Sequence, residues 1–210
     1  MKKIILVVMI ILISGCSSVR VVDSWKNETV LFFKPQKLLV LGVTQNLTAR
    51  KIFEESLKEE FVSRNINAYE STMIFDESFT DSKKTEEEVN TMIKDLSEKG
   101  FDAVIITAVK GVDERRSYDR GYYTVGYSWT RFGGYYYRFQ DVYYNPGYYD
   151  DYKVYHVETS IYNINEDDNK SLVWVGALDI VDPQGITTTV NEYVNAIIAT
   201  LERERVITRL

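Results

Sequence analysis

The sequence predicts an α/β domain: a mixed five-stranded sheet in which a parallel β-α-β-α-β unit is continued by an antiparallel hairpin, with three helices and one long aromatic loop. Three observations carry the prediction. Short apolar runs biased to β-branched residues alternate with stretches whose apolar residues recur at helical spacing. The run from Phe101 to Val109 is almost wholly apolar, as a strand covered on both faces is. Two later strand-like runs are separated only by a polar turn, which marks a hairpin.

Lys37 to Thr44 (KLLVLGVT) reads as the first core strand. Thr48 to Asn65 sets Ile52, Phe53, Leu57 and Phe61 on one helical face, and a brief extended stretch follows from Ile66 to Thr72. Thr85-Glu86-Glu87-Glu88 matches a capping box, in which the threonine hydroxyl accepts from the third helical amide and Glu88 reaches back. Val89, Met92, Ile93 and Leu96 then follow at i, i+3, i+4 and i+7, and Gly100 can supply a left-handed cap. A strand, helix, strand, helix, strand order implies right-handed parallel crossovers.

Lys153 to Ile164 and Leu172 to Val181 form the predicted hairpin across Asn165 to Ser171. Along the first of these, Tyr155, Val157, Thr159 and Ile161 share one face, and His156, Glu158 and Ser160 the other, which should be the wetter. After Pro183-Gln184-Gly185 a last helix places Val190, Tyr193, Val194, Ile197, Ile198 and Leu201 on one stripe across the sheet. Val19 to Phe33 could add an edge strand, with Trp25 as a packing anchor. No linker rich in Pro, Gly or Ser divides the chain, so residues 16–205 read as a single domain carrying an insertion at 117–152.

The amino end has its own chemistry. Lys2 and Lys3 precede an unbroken apolar run from Ile4 to Ile13, then Ser14, Gly15 and the only cysteine, Cys16. This is a signal-peptide layout over residues 1–15, and ten apolar residues cover about half of a bilayer's roughly 30 Å core. Ile13-Ser14-Gly15-Cys16 resembles the bacterial lipobox, which implies that Cys16 is lipidated and becomes the mature amino terminus. Two or three acyl chains, at roughly 0.8 kcal/mol per buried CH2, hold a protein to a membrane essentially for good. Ser17 and Ser18 carry no acid next to the cysteine, which by the same resemblance favours the outer membrane, facing the periplasm. Arg20 is the only charge before Asp23, so the expected tether is about six residues, reaching about 20 Å.

Loss of residues 1–15 would leave 23 basic groups against 31 acidic ones, so nucleic acid is not an expected partner. Ser117 to Tyr155 holds 13 of the 16 tyrosines, in runs such as Gly133-Gly134-Tyr135-Tyr136-Tyr137 and Pro146-Gly147-Tyr148-Tyr149. A connection this long is either functional or disordered in most domains. Tyrosine offers an apolar face and a hydroxyl at low rotamer cost, which suits sugar rings, protein surfaces and the membrane interface. Candidate contact residues are Tyr122, Tyr123, Trp129, Tyr135, Tyr136, Tyr137, Tyr143, Tyr144, Tyr148 and Tyr149. Three readings stay open: a hairpin extension whose rings shield the sheet, a protein or glycan contact, and a membrane contact. From Asp113 to Asp151 five arginines (Arg115, Arg116, Arg120, Arg131 and Arg138) face six acids, so the segment lacks the basic field that base-stacking proteins use.

Catalytic signals are sparse. His156 is the only histidine and sits on a strand, where a surface or cross-strand role is expected. No HExxH, paired-cysteine or phosphate-loop pattern is present, and no cofactor or metal is expected. Glu166-Asp167-Asp168 and Asp150-Asp151 could do paired-carboxylate work, but both groups sit in turns or loops where solvated acids are the default. Glu86 to Glu88 read as favourable charge at a helix amino end.

The element order, the lipobox, the Tyr/Gly insertion and a hairpin reading Ser160-Ile161-Tyr162-Asn163 then Leu172-Val173-Trp174-Val175-Gly176 resemble a group of small bacterial lipoproteins of unknown function. The α/β arrangement is similar to the amino-terminal domain of TolB. The resemblance implies a non-enzymatic envelope lipoprotein that binds or assembles through protein or glycan contacts. The competing expectation is a hydrolase or transferase acting on envelope polymers through loop carboxylates.

Overall fold

The structure is a computed structural model, and it describes residues 17–31, 33–76, 79, 82–114, 153–166, 171–183 and 185–210. In chain order the elements are β1 (Val19–Lys26), β2 (Leu38–Val43), α1 (Leu47–Ser63), β3 (Ala68–Glu70), a single 3-10 turn (Ser71–Met73), α2 (Glu86–Glu98), β4 (Ala103–Glu114), β5 (Lys153–Asn163), β6 (Leu172–Val181) and α3 (Ile186–Arg203). The strands form one sheet in the order β1-β6-β5-β4-β2-β3.

The α/β class, the three helices and the mixed sheet are as expected, but the sheet has six strands instead of five. The sixth is β1, which pairs antiparallel with β6 from Val19 opposite Ile180 to Lys26 opposite Trp174. A register shift between Val21 and Asp23 leaves Val22 bulged and half exposed. A bulge on an outer strand blunts further pairing, and here it also breaks the alternation by which a strand is read from sequence. Asn27 ends the strand: its side-chain amide donates to the Leu172 carbonyl, and its oxygen accepts from Thr29.

β2 pairs in parallel with both β3 and β4, while the β4–β5, β5–β6 and β6–β1 pairs are antiparallel. The first crossover helix, α1, packs with α3 on one face; α2 covers the other. Each face of the sheet therefore has its own core. Leu38, Val40, Ile105, Ile161 and Trp174 meet α1 and α3, and Leu39, Leu41, Val104, Ile106 and Tyr162 meet α2. This double covering is why β2 and β4 read as unbroken apolar runs. Trp25 packs against the α2-side core, as its place in the sequence suggested.

The caps set the helix ends. Thr85 and Glu88 form the full capping box at α2, and Asn46 accepts from the Ala49 amide at α1. Beyond α2, Gly100 takes φ +81°, so that Phe101 N–H reaches the Leu96 carbonyl and Gly100 N–H the Ser97 carbonyl. Asn65 and Arg205 close α1 and α3 in the same way, with Ile66 donating to Phe61 and Val206 to Leu201.

Trp174 is fully buried, and its Nε1 donates to Glu204 at 2.7 Å. Its ring lies over Gly176, where an added Cβ would meet ring carbons at 2.2, 2.7 and 3.0 Å. Residues two apart share a strand face. The small residue two positions after the tryptophan is thus a packing requirement.

Candidate functional site

The ten aromatic candidates and Cys16 lie outside the described residues, as do Asp150, Asp151, Asp167 and Asp168. The structure does place the points where those segments join the sheet. Glu114 and Lys153 are backbone partners at the ends of β4 and β5, so the segment 115–152 leaves and returns through adjacent strands. At the neighbouring strand, consecutive amides reach in two directions: Val181 N–H donates to the Ser18 carbonyl at 2.8 Å and Asp182 N–H to the Lys153 carbonyl at 2.9 Å. The chain next to Cys16 and the root of the insertion are therefore side by side at one end of the sheet. The same end carries the carboxyl ends of β2 and β4 and the amino ends of all three helices.

Ser17 and Ser18 are held there. Glu192, in the second turn of α3, accepts from the Ser18 amide at 2.7 Å, the Ser18 hydroxyl at 2.7 Å and the Ser17 hydroxyl at 3.2 Å. The Ser18 hydroxyl and amide hold its carboxyl below the usual glutamate range, with Ser17 adding to them. The expected six-residue tether is corrected by this arrangement. Because β1 begins at Val19 and Ser18 is clamped, the free length back to Cys16 is about two residues, or about 7 Å.

Beside the clamp, the face of the sheet beyond α2 carries a polar network. Arg20 donates to Asp179 at 3.0 Å, and Asp179 meets His156 Nδ1 at 2.7 Å across the β5–β6 pair. His156 Nε2 lies 3.2 Å from Asp113, and Lys110 lies 3.2 Å from Glu158. His156 is thus the cross-strand residue expected. The expectation that this face of β5 is the wetter one is corrected: Ser160 is fully buried and Glu158 is 8% exposed, because paired charges and neighbouring side chains enclose it.

An imidazole oriented by a carboxylate can serve a nucleophile within hydrogen-bond reach. Ser160 shares the face of His156 but lies four residues along the strand, roughly 13 Å away, so the two do not pair. Glu166 is exposed in the turn that follows β5, at the opposite end of that strand from Lys153. Among the described residues no group of three or more His, Cys, Asp or Glu side chains is placed to hold a metal ion, and no helix is long and apolar enough to cross a membrane.

A second buried network, invisible in the apolar pattern, braces this end from inside. Arg50 and Glu54, both fully buried, pair at 3.0 Å. Glu54 also accepts from the Gly42 amide, the Ser71 hydroxyl and the Thr72 amide, while Arg50 donates to Ser71 at 2.8 Å. One carboxylate thereby ties α1 to the end of β2 and to the 3-10 turn. On the same face of the sheet, Tyr193 of α3 shares a hydrogen bond with Thr159 at 2.8 Å, and burial pushes its phenol well above the usual range.

No protein-family model and no curated protein matches the sequence. Among solved structures the chain is similar to PelC from Paraburkholderia phytofirmans, a dodecamer, at 11% identity and a TM-score of 0.42, covering 91% of this chain and 99% of that one. It is similar to the lipoprotein GNA1162 from Neisseria meningitidis at 10% identity and a TM-score of 0.40, covering 80% and 99%. It is also similar to a DUF4136 family protein from Bacteroides thetaiotaomicron at 12% identity and a TM-score of 0.42, covering 92% and 100%. One of these neighbours is a lipoprotein. At this degree of overlap the likenesses concern chain layout, and nothing functional follows from them.

Proposed function

We propose that this chain is a non-enzymatic lipoprotein of the bacterial cell envelope, anchored through Cys16 in the outer membrane and facing the periplasm. Its tyrosine-rich insertion is the part that binds or assembles with a protein or glycan. The lipobox supports the anchor. One structural observation supports the rest: the residues that follow Cys16 and the root of the insertion are bracketed by the consecutive amides of Val181 and Asp182. Whatever the insertion contacts, its root on β5 and β4 stands beside the chain's route to Cys16, two to three strand spacings, or roughly 10–14 Å, from Ser18.

Catalysis by loop carboxylates is the alternative. Glycosidases hold their two carboxyl groups within about 10 Å. Glu166 and the root of the insertion sit at opposite ends of an eleven-residue strand, roughly 33 Å apart, which favours the binding reading.

Two experiments test the proposal. Cys16→Ser should abolish labelling by a fed fatty acid and leave the precursor uncut; an unlabelled natural product that starts elsewhere refutes the anchor. In-cell cross-linking with the full chain and with a chain lacking residues 117–151 should capture an envelope protein or glycan only with the first. Equal capture by both removes the insertion from the function, and turnover of an envelope glycan that Glu166→Gln or Asp150→Asn abolishes favours the enzyme instead.

A further inference from the structure

Over the carboxyl ends of β2 and β4 the first turns of α1 and α3 part and leave a cavity of about 160 Å³. Phe53 and Tyr193 meet edge-on at its base, ring centroids 6.2 Å apart, and Val157, Ile180, Ala49 and Val190 form the walls. Thr44 and Thr189 also line it, and its larger polar groups are engaged elsewhere: the Tyr193 hydroxyl with Thr159, Thr107 with Thr159 at 2.6 Å, and Arg50 on Glu54 and Ser71. The pocket is half open to solvent and mostly apolar, and its volume is close to that of a cavity that accepts a benzene ring, so the guest that fits is a hydrocarbon of about that size.

One feature of position narrows the guest. Ile180 in its wall is the backbone partner of Val19, which places the cavity within a few residues of where the chain runs back toward Cys16.

We propose that this cavity takes the terminal methylenes of an acyl chain. The inference rests on the reading that this end of the sheet faces the bilayer. The chain could come from a surrounding phospholipid or from Cys16 itself; the chemistry recognised is the same.

The test uses the full chain, produced in cells and reconstituted into phosphatidylcholine vesicles, with a diazirine near the methyl end of the acyl probe. The probe is supplied in three ways: as free fatty acid, as a phospholipid chain, and by feeding cells so that it is carried on Cys16. Photo-adducts should fall on the peptides containing Phe53 and Tyr193, and labelling should drop about tenfold in an Ala49→Phe/Val190→Phe variant that fills the space. Should the filled variant not fold, competition by benzene in the unaltered protein should lower the labelling instead. Adducts confined to other peptides, or labelling at the cavity indifferent to benzene, overturn the proposal; a fatty acid found on Cys16 in that experiment leaves the anchor standing alone. Labelling at the cavity by free fatty acid only supports hydrocarbon binding and refutes the bilayer-facing orientation.

Discussion

Gly176→Ala should be among the most damaging single-methyl changes in this protein. The new Cβ would lie 2.2, 2.7 and 3.0 Å from three ring carbons of Trp174, where ordinary carbon contacts are about 3.5–4.0 Å. The ring would have to retreat by more than about 1 Å, yet it is fully buried and held at Nε1 by Glu204 at 2.7 Å. Overpacking costs about 1–3 kcal/mol, and loss of a hydrogen bond to a charged group about 1.5–3 kcal/mol. The strain is relieved partly through that bond, so the two do not simply add, and a total near about 3 kcal/mol is expected. In a domain of this size each kcal/mol moves Tm by about 2–4 °C, so the midpoint should fall by about 6–12 °C. Urea unfolding followed by far-ultraviolet circular dichroism reads the free energy directly. A second arm isolates the cause: with Trp174→Leu already in place, Gly176→Ala should cost about 1 kcal/mol or less. A loss below about 0.5 kcal/mol for Gly176→Ala alone, or an undiminished loss beside Trp174→Leu, would refute the argument.

Arg50→Met should destabilise by about 3–5 kcal/mol in the same assay, since it strands the fully buried Glu54 carboxylate; recovery in the Arg50→Met/Glu54→Leu double variant separates the charge from the packing. Thr85→Ala removes the N-cap of α2 and should cost about 0.5–2 kcal/mol, with amide exchange rising first in Glu86–Glu98. Glu192, whose carboxyl lies below its ordinary value of 4.5 in the folded chain, stabilises the clamp fully above that value, and the contribution is lost as pH falls through the folded value. The Ser18 amide resonance should hold steady from pH 7 to 5 and move below pH 4.5; a midpoint at or above 4.5 contradicts the clamp.

Much of the fold was legible because its signals are local. The Thr85 box, Gly100 and the apolar stripe of α3 each stand in a few consecutive residues, and the doubly covered β2 and β4 announce themselves by lacking alternation. β1 was less legible because Val22 and Asp23 interrupt its period of two. The closure of α3 by Arg205 at φ +57° has no sequence mark, since arginine is not a residue that favours that conformation. At the candidate site, the hairpin gave His156 its cross-strand role, but its partners Asp113 and Asp179, and Arg20 which pairs with Asp179, come from three different strands. Arg50 and Glu54 were missed because hydrophobic periodicity counts them as solvent-facing, although they lie on the buried side of α1.

The clamp of Ser17 and Ser18 on Glu192 has a mechanical consequence for a lipidated chain. If Cys16 carries the proposed acyl chains, slack of about two residues, or about 7 Å, would keep this end of the sheet close to the bilayer surface. The eight residues of β1 span about 26 Å, with Glu166 and the carboxyl-terminal residues at the far end of the sheet. On that proposal, a partner lying in the membrane plane and one approaching from the opposite side would meet opposite ends of the same sheet.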